Sequence, residues 1–406
     1  MKHHIEANNI IPEEQKGCTS DSYGTIDQLS INKMIMLDAI HNQRNISTAW
    51  IDYKKAYDSI PHDWLIETLT MHKFDPVTIK FFKETIKNWQ TSINLNIEDS
   101  ISTEPFKIST GIFQGDSPSG LNFILCLLPL TWLIKTSNLG YKPTFTNEKM
   151  CHLLFMDDLK IYAANDQQLT SLINIVKIFS DDIVMAFGID KCNKMTIIRG
   201  KVKPSDGITI DNEEIKALNN EQYYKYLGFN ERQSIEKSTK GKLQQEYFTR
   251  VKKTLKTELN SKNTINAINT YAIPSLSYGF QIIDWSITDL ENIDRSTRKL
   301  LQKHHMQHKQ GDVTRIYIPR SHGGRGLINI TNLYKSTIIK FGRYLLTTDA
   351  NHLTHVSDWQ HTRGDKSIHH KASKYCRELG INYEQIEQMS KPAVKNTIKK
   401  NRLNCW

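Results

Sequence analysis

Phe155-Met156-Asp157-Asp158 is the stretch on which the reading of this chain turns. It is entered through an apolar run, Leu153, Leu154 and Phe155, and left through a second, Leu159, Ile161, Tyr162, Ala163 and Ala164. Short apolar runs bounded by polar residues read as strands, so the pattern is strand, tight polar turn, strand, with Asp157 and Asp158 at the tip of a hairpin. Side-by-side carboxylates repel and want a counter-charge, most simply a hard divalent cation held by oxygen ligands. An isolated Asp-Asp turn is more often plain solvated surface, so this pair gains meaning only from what accompanies it upstream.

That company is Asp52. Thr48–Tyr53 reads as a short strand carrying Asp52 near its end, and Lys54–Ser59 as the turn out of it. If the two strands are neighbours, three carboxylates converge and can hold two divalent ions, which lower the pKa of an attacking hydroxyl and stabilise a leaving phosphate oxygen. Asp58 fits a turn or helix cap better than a further ligand.

The rest of the chain supplies helices and short strands. A helix is expected over about Asp27–Asn42, capped by Thr25 or Asp27. Another opens at Pro61 and carries Trp64, Leu65 and Leu69. Trp89–Ile112 alternates as a hairpin does, and Gly111–Gly120 is a glycine-bearing turn into the apolar helix Leu121–Ile134, which is short for a bilayer span and contains Pro129. An amphipathic helix follows over Leu169–Phe187, ended by Gly188. Met195–Arg199 is a strand, Pro204–Gly207 a turn, and Tyr223–Phe229 an aromatic hairpin. Beyond a boundary near Asn230 come long helices rich in Lys and Arg, from Lys237 through Lys256; from about Thr347 the chain is polar, His-rich and weakly periodic.

Lys and Arg outnumber Asp and Glu by 53 to 43, a surplus that suits a polyanionic partner. The six cysteines are scattered without CxxC pairs, which speaks for a reducing compartment and against structural zinc. No secretory leader opens the chain, and no membrane partner is expected. His304, His305 and His308 lack partner ligands and read as surface residues.

Ile51-Asp52-Tyr53-Lys54-Lys55-Ala56-Tyr57-Asp58-Ser59, then Gln114-Gly115-Asp116-Ser117, then Phe155-Met156-Asp157-Asp158 resemble the ordered motifs of reverse transcriptases, most closely those of LINE-type (non-LTR) retrotransposons with a restriction-like endonuclease. The resemblance continues through Glu14–Cys18, Gly24–Gln28, Phe187–Cys192, Tyr226–Gly228, Ile318–Arg320 and Gly323–Leu327, covering roughly residues 10–330. It implies an α+β right-hand polymerase fold, a palm sheet backed by helices with partial fingers and a helical thumb. The domains would be 1–47 (partial fingers), 48–230 (palm with finger elements), 231–330 (thumb and following segment) and 331–406 (fold not read). The implied activity is RNA-directed DNA polymerisation, extending a DNA 3′-hydroxyl on an RNA template with deoxynucleoside triphosphates. The implied setting is intracellular, as a ribonucleoprotein of nucleus and cytoplasm.

Carried over residue by residue, the resemblance makes Asp52, Asp157 and Asp158 the ligands of two Mg²⁺ ions, with Mn²⁺ as an alternative and Asp158 the least direct ligand. Tyr57 becomes the bulky gate against a 2′-hydroxyl. Gln114 and Gly115 touch the incoming nucleotide and template, Lys191 faces the triphosphate, and Tyr226, Leu227 and Gly228 hold the primer end. Each has a plainer alternative: core packing for Tyr57, a solvated lysine for Lys191, sheet packing for the tyrosines, solvated faces for the basic helices.

Two departures stand out. After Gln114-Gly115-Asp116 the chain reads Ser117-Pro118-Ser119-Gly120, where the family commonly has leucine before the serine and proline after it. Upstream fingers, zinc fingers and an endonuclease are not found, so the chain looks like a polymerase core cut from a longer reading frame. The rival readings are an intron-encoded reverse transcriptase and maturase, a catalytically inactive nucleic-acid-binding remnant, and a metal-dependent nuclease. The last leaves Tyr57 and Gln114-Gly115 without a role.

Overall fold

The structure, a computed structural model, describes residues 1–95, 102–219 and 221–404. The chain forms two compact units, Met1–Ser234 and Ile235–Trp406.

The first unit is built on one sheet. Its strands are β1 (Ile46–Ile51), β2 (His152–Phe155), β3 (Asp158–Ala163), β4 (Asn193–Ile198), β5 (Lys201–Lys203), β6 (Ile208–Ile210) and β7 (Glu213–Ala217). They lie in the order β2-β3-β1-β4-β7-β6, with β5 also on β4; all pairs are antiparallel except β4 with β7. Every residue of β1 is buried, because it is central and covered on both faces, so its sequence Ile-Ser-Thr-Ala-Trp-Ile shows no polar alternation. Successive side chains still point to opposite faces. Ala49 and Ile51, with Leu159, Ile161 and Ala163, join a core with α2 (Ser119–Thr136) and α3 (Asp166–Asp182). On the opposite face Lys160 and Tyr162 meet Asn32 of α1 (Thr25–His41).

Several expected boundaries move, each for a local reason. α1 starts at Thr25 with Gly24 at its N-cap; Asp27 serves its entry from inside the first turn, accepting from Ser22 Oγ (2.7 Å) and Tyr23 N (3.0 Å). β1 starts two residues early and stops before Asp52. The segment expected as a turn after it contains a short helix, Ala56–Ser59, entered through Lys55 at φ +47°. α2 runs past both expected ends, and by length and composition it is apolar enough to cross a bilayer; here it is core, with Phe123 through Leu128 fully buried. α3 begins at Asp166, capped by the Asn165 side chain, and ends at Asp182, before Gly188. The expected 89–112 hairpin pairs Gln90–Thr91 with Phe106–Lys107 and continues through a bridge between Asn94 and Ser102; its tip lies outside the described residues. The aromatic hairpin is β8 (Tyr224–Tyr226) and β9 (Phe229–Glu231), turning through Leu227 and Gly228, both at positive φ.

The second unit is helical throughout. Its main helices are α4 (Thr239–Leu255), α5 (Ile287–Lys303), α6 (Ile330–Thr347) and α7 (Ile368–Glu378). A reciprocal Ser286–Asp289 capping box starts α5. Buried Asp294 of α5 accepts from Ile330 N (3.0 Å) and Thr331 N (3.2 Å), satisfying the N-terminus of α6. The segment after Thr347, unread from sequence, is a set of helices packed on α6, α7 among them. All of the chain's positive surplus lies in this unit; before Ser234 carboxylates are in the majority.

Candidate active site

The sheet register brings the three carboxylates together. Ile51, last in β1, pairs with Leu159 of β3. Asp52 lies one residue beyond the first and Asp158 one residue before the second, so the two face each other at the same end of adjacent strands. Phe155 pairs with Asp158, so the turn itself is Met156-Asp157. The expectation that both aspartates occupy the tip is therefore corrected: Asp157 is in the turn, and Asp158 opens β3. Met156 takes φ +57°, a conformation common at the first position of two-residue hairpin turns but costly for a residue with a Cβ.

The electrostatics follow from this crowding. Burial, then the neighbouring charge of Asp52, raises the pKa of Asp157. Burial, Asp157 and Asp52 together push Asp158 up to about 6. Asp52 Oδ2 is buried and accepts no hydrogen bond, while Lys191 Nζ stands 3.4 Å from it as an ion-pair partner. Gly188 makes room for that oxygen: a Cβ there would sit 3.0 Å from Asp52 Oδ2, and Gly188 N donates to Asp52 O at 2.7 Å. A buried carboxylate oxygen that accepts no hydrogen bond, beside two carboxyls whose ionisation burial and repulsion oppose, fits a divalent cation, whose charge would offset the repulsion. Among the described residues no group of three or more His, Cys, Asp or Glu side chains is already drawn to ligand distance. The three carboxylates are close enough to perturb one another but are not closed around a point.

The other expected residues distribute around this centre. Tyr57, on the short helix after Asp52, stacks on Phe123 with centroids 4.6 Å apart and planes 4° from parallel. Burial and the charges of Cys18 and Asp157 raise its hydroxyl pKa, which puts the ring at the edge of the carboxylate cluster. It is thus both packed and adjacent to the site. Gln114 and Gly115 are exposed in the loop before α2; Gly115 adopts φ +94° with open space about its Cα. Pro118 is the N-cap of α2, so the divergent Ser117-Pro118-Ser119-Gly120 segment ends in a helical first turn.

The β8–β9 hairpin lies over the face of the sheet that carries Trp50 and Lys160. Tyr224 stacks on Trp50, centroids 4.9 Å apart. Burial, Asp52 and Asp158 all raise the Tyr224 pKa, which locates this hairpin beside the carboxylates. Tyr226 is buried against the Lys160 ammonium, 5.1 Å from its ring centroid, while Leu227 and Gly228 form the tip.

Sequence reasoning missed what anchors that hairpin. Lys160 is fully buried and ion-paired to Glu231 of β9; its Nζ also donates to Asn32 Oδ1 (2.7 Å) and lies 4.5 Å from the Trp50 ring centroid. Trp50 Nε1 donates to Glu231 Oε1 at 3.0 Å, and Asn32 Nδ2 to Glu231 Oε2 at 2.7 Å. Burial pulls the Lys160 pKa down, and Glu231 opposes that pull. The available signal was a lone lysine inside an otherwise apolar strand.

The sequence profile of the family described as reverse transcriptase (RNA-dependent DNA polymerase) matches residues 5–230. The chain is 22% identical over 388 residues to the Pol polyprotein of the type-2 retrotransposable element R2DM of Drosophila melanogaster, covering 92% of this chain and 34% of that protein. It is 25% identical to the Pol polyprotein of a type-1 retrotransposable element R2 of Popillia japonica, over 62% of this chain and 41% of that one. The chain thus spans well under half the length of these curated relatives. Among solved structures, apo telomerase from Candida tropicalis aligns with 98% of this chain and 57% of its own, at 12% identity and a TM-score of 0.47. The architecture is the α+β right-hand polymerase fold, and the sheet bearing Asp52, Asp157 and Asp158 is its palm. The chain belongs to the reverse transcriptase family, with its sequence similarity on the side of the non-LTR R2 retrotransposons.

Proposed function

We propose that this chain is an RNA-directed DNA polymerase that extends a DNA 3′-hydroxyl along an RNA template with deoxynucleoside triphosphates. The observation that carries the reading is the β1–β3 register, which sets Asp52 against the Asp157-Asp158 end of the hairpin. Two Mg²⁺ ions, held by Asp52, Asp157 and Asp158, would supply a lowered pKa at the attacking hydroxyl and charge stabilisation at the leaving phosphate. Before binding, Lys191 neutralises Asp52. Its side chain is two-thirds exposed, and it would face the triphosphate were a cation to take its place at Asp52.

Around that centre the chain's own side chains orient the reactants. The Tyr57 ring, fixed by its stack on Phe123, is a rigid wall where a sugar edge would lie, and a rigid wall rejects an added hydroxyl sterically. The β8–β9 tip, pinned through Lys160 and Glu231, is a firm support for a primer end beside Asp52 and Asp158. The basic helices of the second unit up to about residue 330 are the proposed thumb, their charge suited to the phosphates of an RNA–DNA duplex. Within that unit a cavity of about 530 Å³ is lined by Arg320, Arg325, Lys340, Lys395 and Lys399.

The test is extension of one DNA primer annealed to RNA, annealed to DNA, or left single-stranded. The reading expects template-directed product on RNA in the presence of Mg²⁺ and none from the unannealed primer. Addition that ignores the template would contradict it.

A further inference from the structure

Gln15, fully buried, is tied to the turn that carries Asp157. Its Oε1 accepts from Met156 N at 3.0 Å and from Gly17 N at 2.7 Å, and its Nε2 donates to Met156 O at 3.2 Å. Both main-chain groups of the residue at φ +57° are thus held by one side-chain amide, in the manner of a neighbouring strand. The segment around it is itself laid along the outer edge of β2. Leu154 N donates to Glu14 O (2.9 Å), Lys16 N donates to Leu154 O (3.2 Å), and the buried Gln28 Nε2 donates to both Glu14 O and Leu154 O (2.7 Å each). Gly17 completes the fit, since a Cβ there would lie 2.4 Å from Met156 Sδ.

We propose that Gln15 is a positioning residue for catalysis, a main-chain clamp that holds the Met156-Asp157 turn in its left-handed conformation and so aims the Asp157 carboxylate at Asp52. The proposal rests on the polymerase reading above. Its physical basis is that a two-residue turn with a side chain at positive φ relaxes unless its surroundings over-determine it. An amide is the group suited here, because it accepts from one main-chain N–H and donates to the C=O of the same residue. A carboxylate could only accept, and a hydrocarbon could do neither. Gln15 touches no reacting atom; its effect passes through Met156.

The test is a double-mutant cycle on the full chain with Gln15→Leu and Met156→Gly, because glycine takes positive φ without assistance. In the native background Gln15→Leu is expected to lower kcat by roughly tenfold to a hundredfold, the scale of a small misplacement of a catalytic group, with the KM for primer–template little changed. In the Met156→Gly background the same substitution should cost about threefold or less. An equal loss in both backgrounds overturns the clamp and leaves Gln15 as packing.

A second readout needs no catalysis. Amide hydrogen exchange at Met156 and Asp157 should quicken by about tenfold in Gln15→Leu while β1 amides keep their protection; unchanged exchange at the turn overturns the proposal. If the native chain extends no primer, the polymerase reading fails, and the exchange measurement alone decides the clamp. If Gln15→Leu does not fold, Gln15→Met, which keeps the length and loses both donor and acceptor, takes its place in both experiments with the same criteria.

Discussion

At the residue scale, the carboxylates of the palm are a site of stored repulsion. Asp158, pushed up to about 6 from 3.8, keeps a proton in the folded chain at pH values where the unfolded chain has released it. Stability therefore falls as pH rises through that window and levels off above it. Divalent cations bind the deprotonated form, so Mg²⁺ should raise the Tm more at pH 8 than at pH 5, and Asp158→Asn should flatten the metal-free pH dependence between pH 4 and 6. Thermal denaturation with and without Mg²⁺ checks this; an equal Mg²⁺ shift at both pH values would contradict it. Tyr57 gives a second residue-scale expectation. Replacing it by valine removes the wall set by the Phe123 stack, and should reduce discrimination against ribonucleotides by about tenfold or more. Single-nucleotide incorporation of dTTP against UTP reads that ratio, and an unchanged ratio would reduce Tyr57 to core packing. The carboxylates were legible in sequence because polar residues interrupted apolar runs at Asp52 and at Asp157-Asp158. Gln15 stood within a quoted motif, but its work is done by hydrogen bonds to a turn distant in the chain, which no local pattern records.

At the scale of elements, the β8–β9 hairpin matters as much as the β2–β3 hairpin. A two-stranded hairpin is marginal alone, and this one is held to the palm by the buried Lys160–Glu231 pair and the Tyr224–Trp50 stack. Glu231→Ala leaves Lys160 buried without its counter-ion and should destabilise the first unit by roughly 3–5 kcal/mol. Lys160→Met with Glu231→Leu should recover much of that loss, since an apolar replacement of a buried pair is often close to neutral. Urea denaturation of the single and double variants measures both; additive losses would mean the pair is not coupled. The hairpin itself was readable from Tyr223–Phe229, whose aromatic residues flank a Leu-Gly turn. Its seat was not, because Asn32, Trp50, Lys160 and Glu231 come from four separate elements. The boundaries that moved, at α1, α2 and α3, moved where a cap or the core decided the end and the hydrophobic period did not.

For the whole molecule, the proposed activity is RNA-templated polymerisation by a chain that carries a carboxylate-bearing palm and a basic helical unit. The palm could be read from ordered motifs; the second unit could be read as basic and helical but not in detail, since its helices after Thr347 are defined by packing on α6. The most direct measurement is primer extension on poly(rA)/oligo(dT) with dTTP and Mg²⁺, comparing the native chain with Asp157→Asn and recording duplex binding for both. Extension by the native chain, a loss of at least about a thousandfold in the variant, and duplex binding retained in each are expected. Extension that survives Asp157→Asn, or duplex binding by a folded native chain that extends nothing, would contradict this reading.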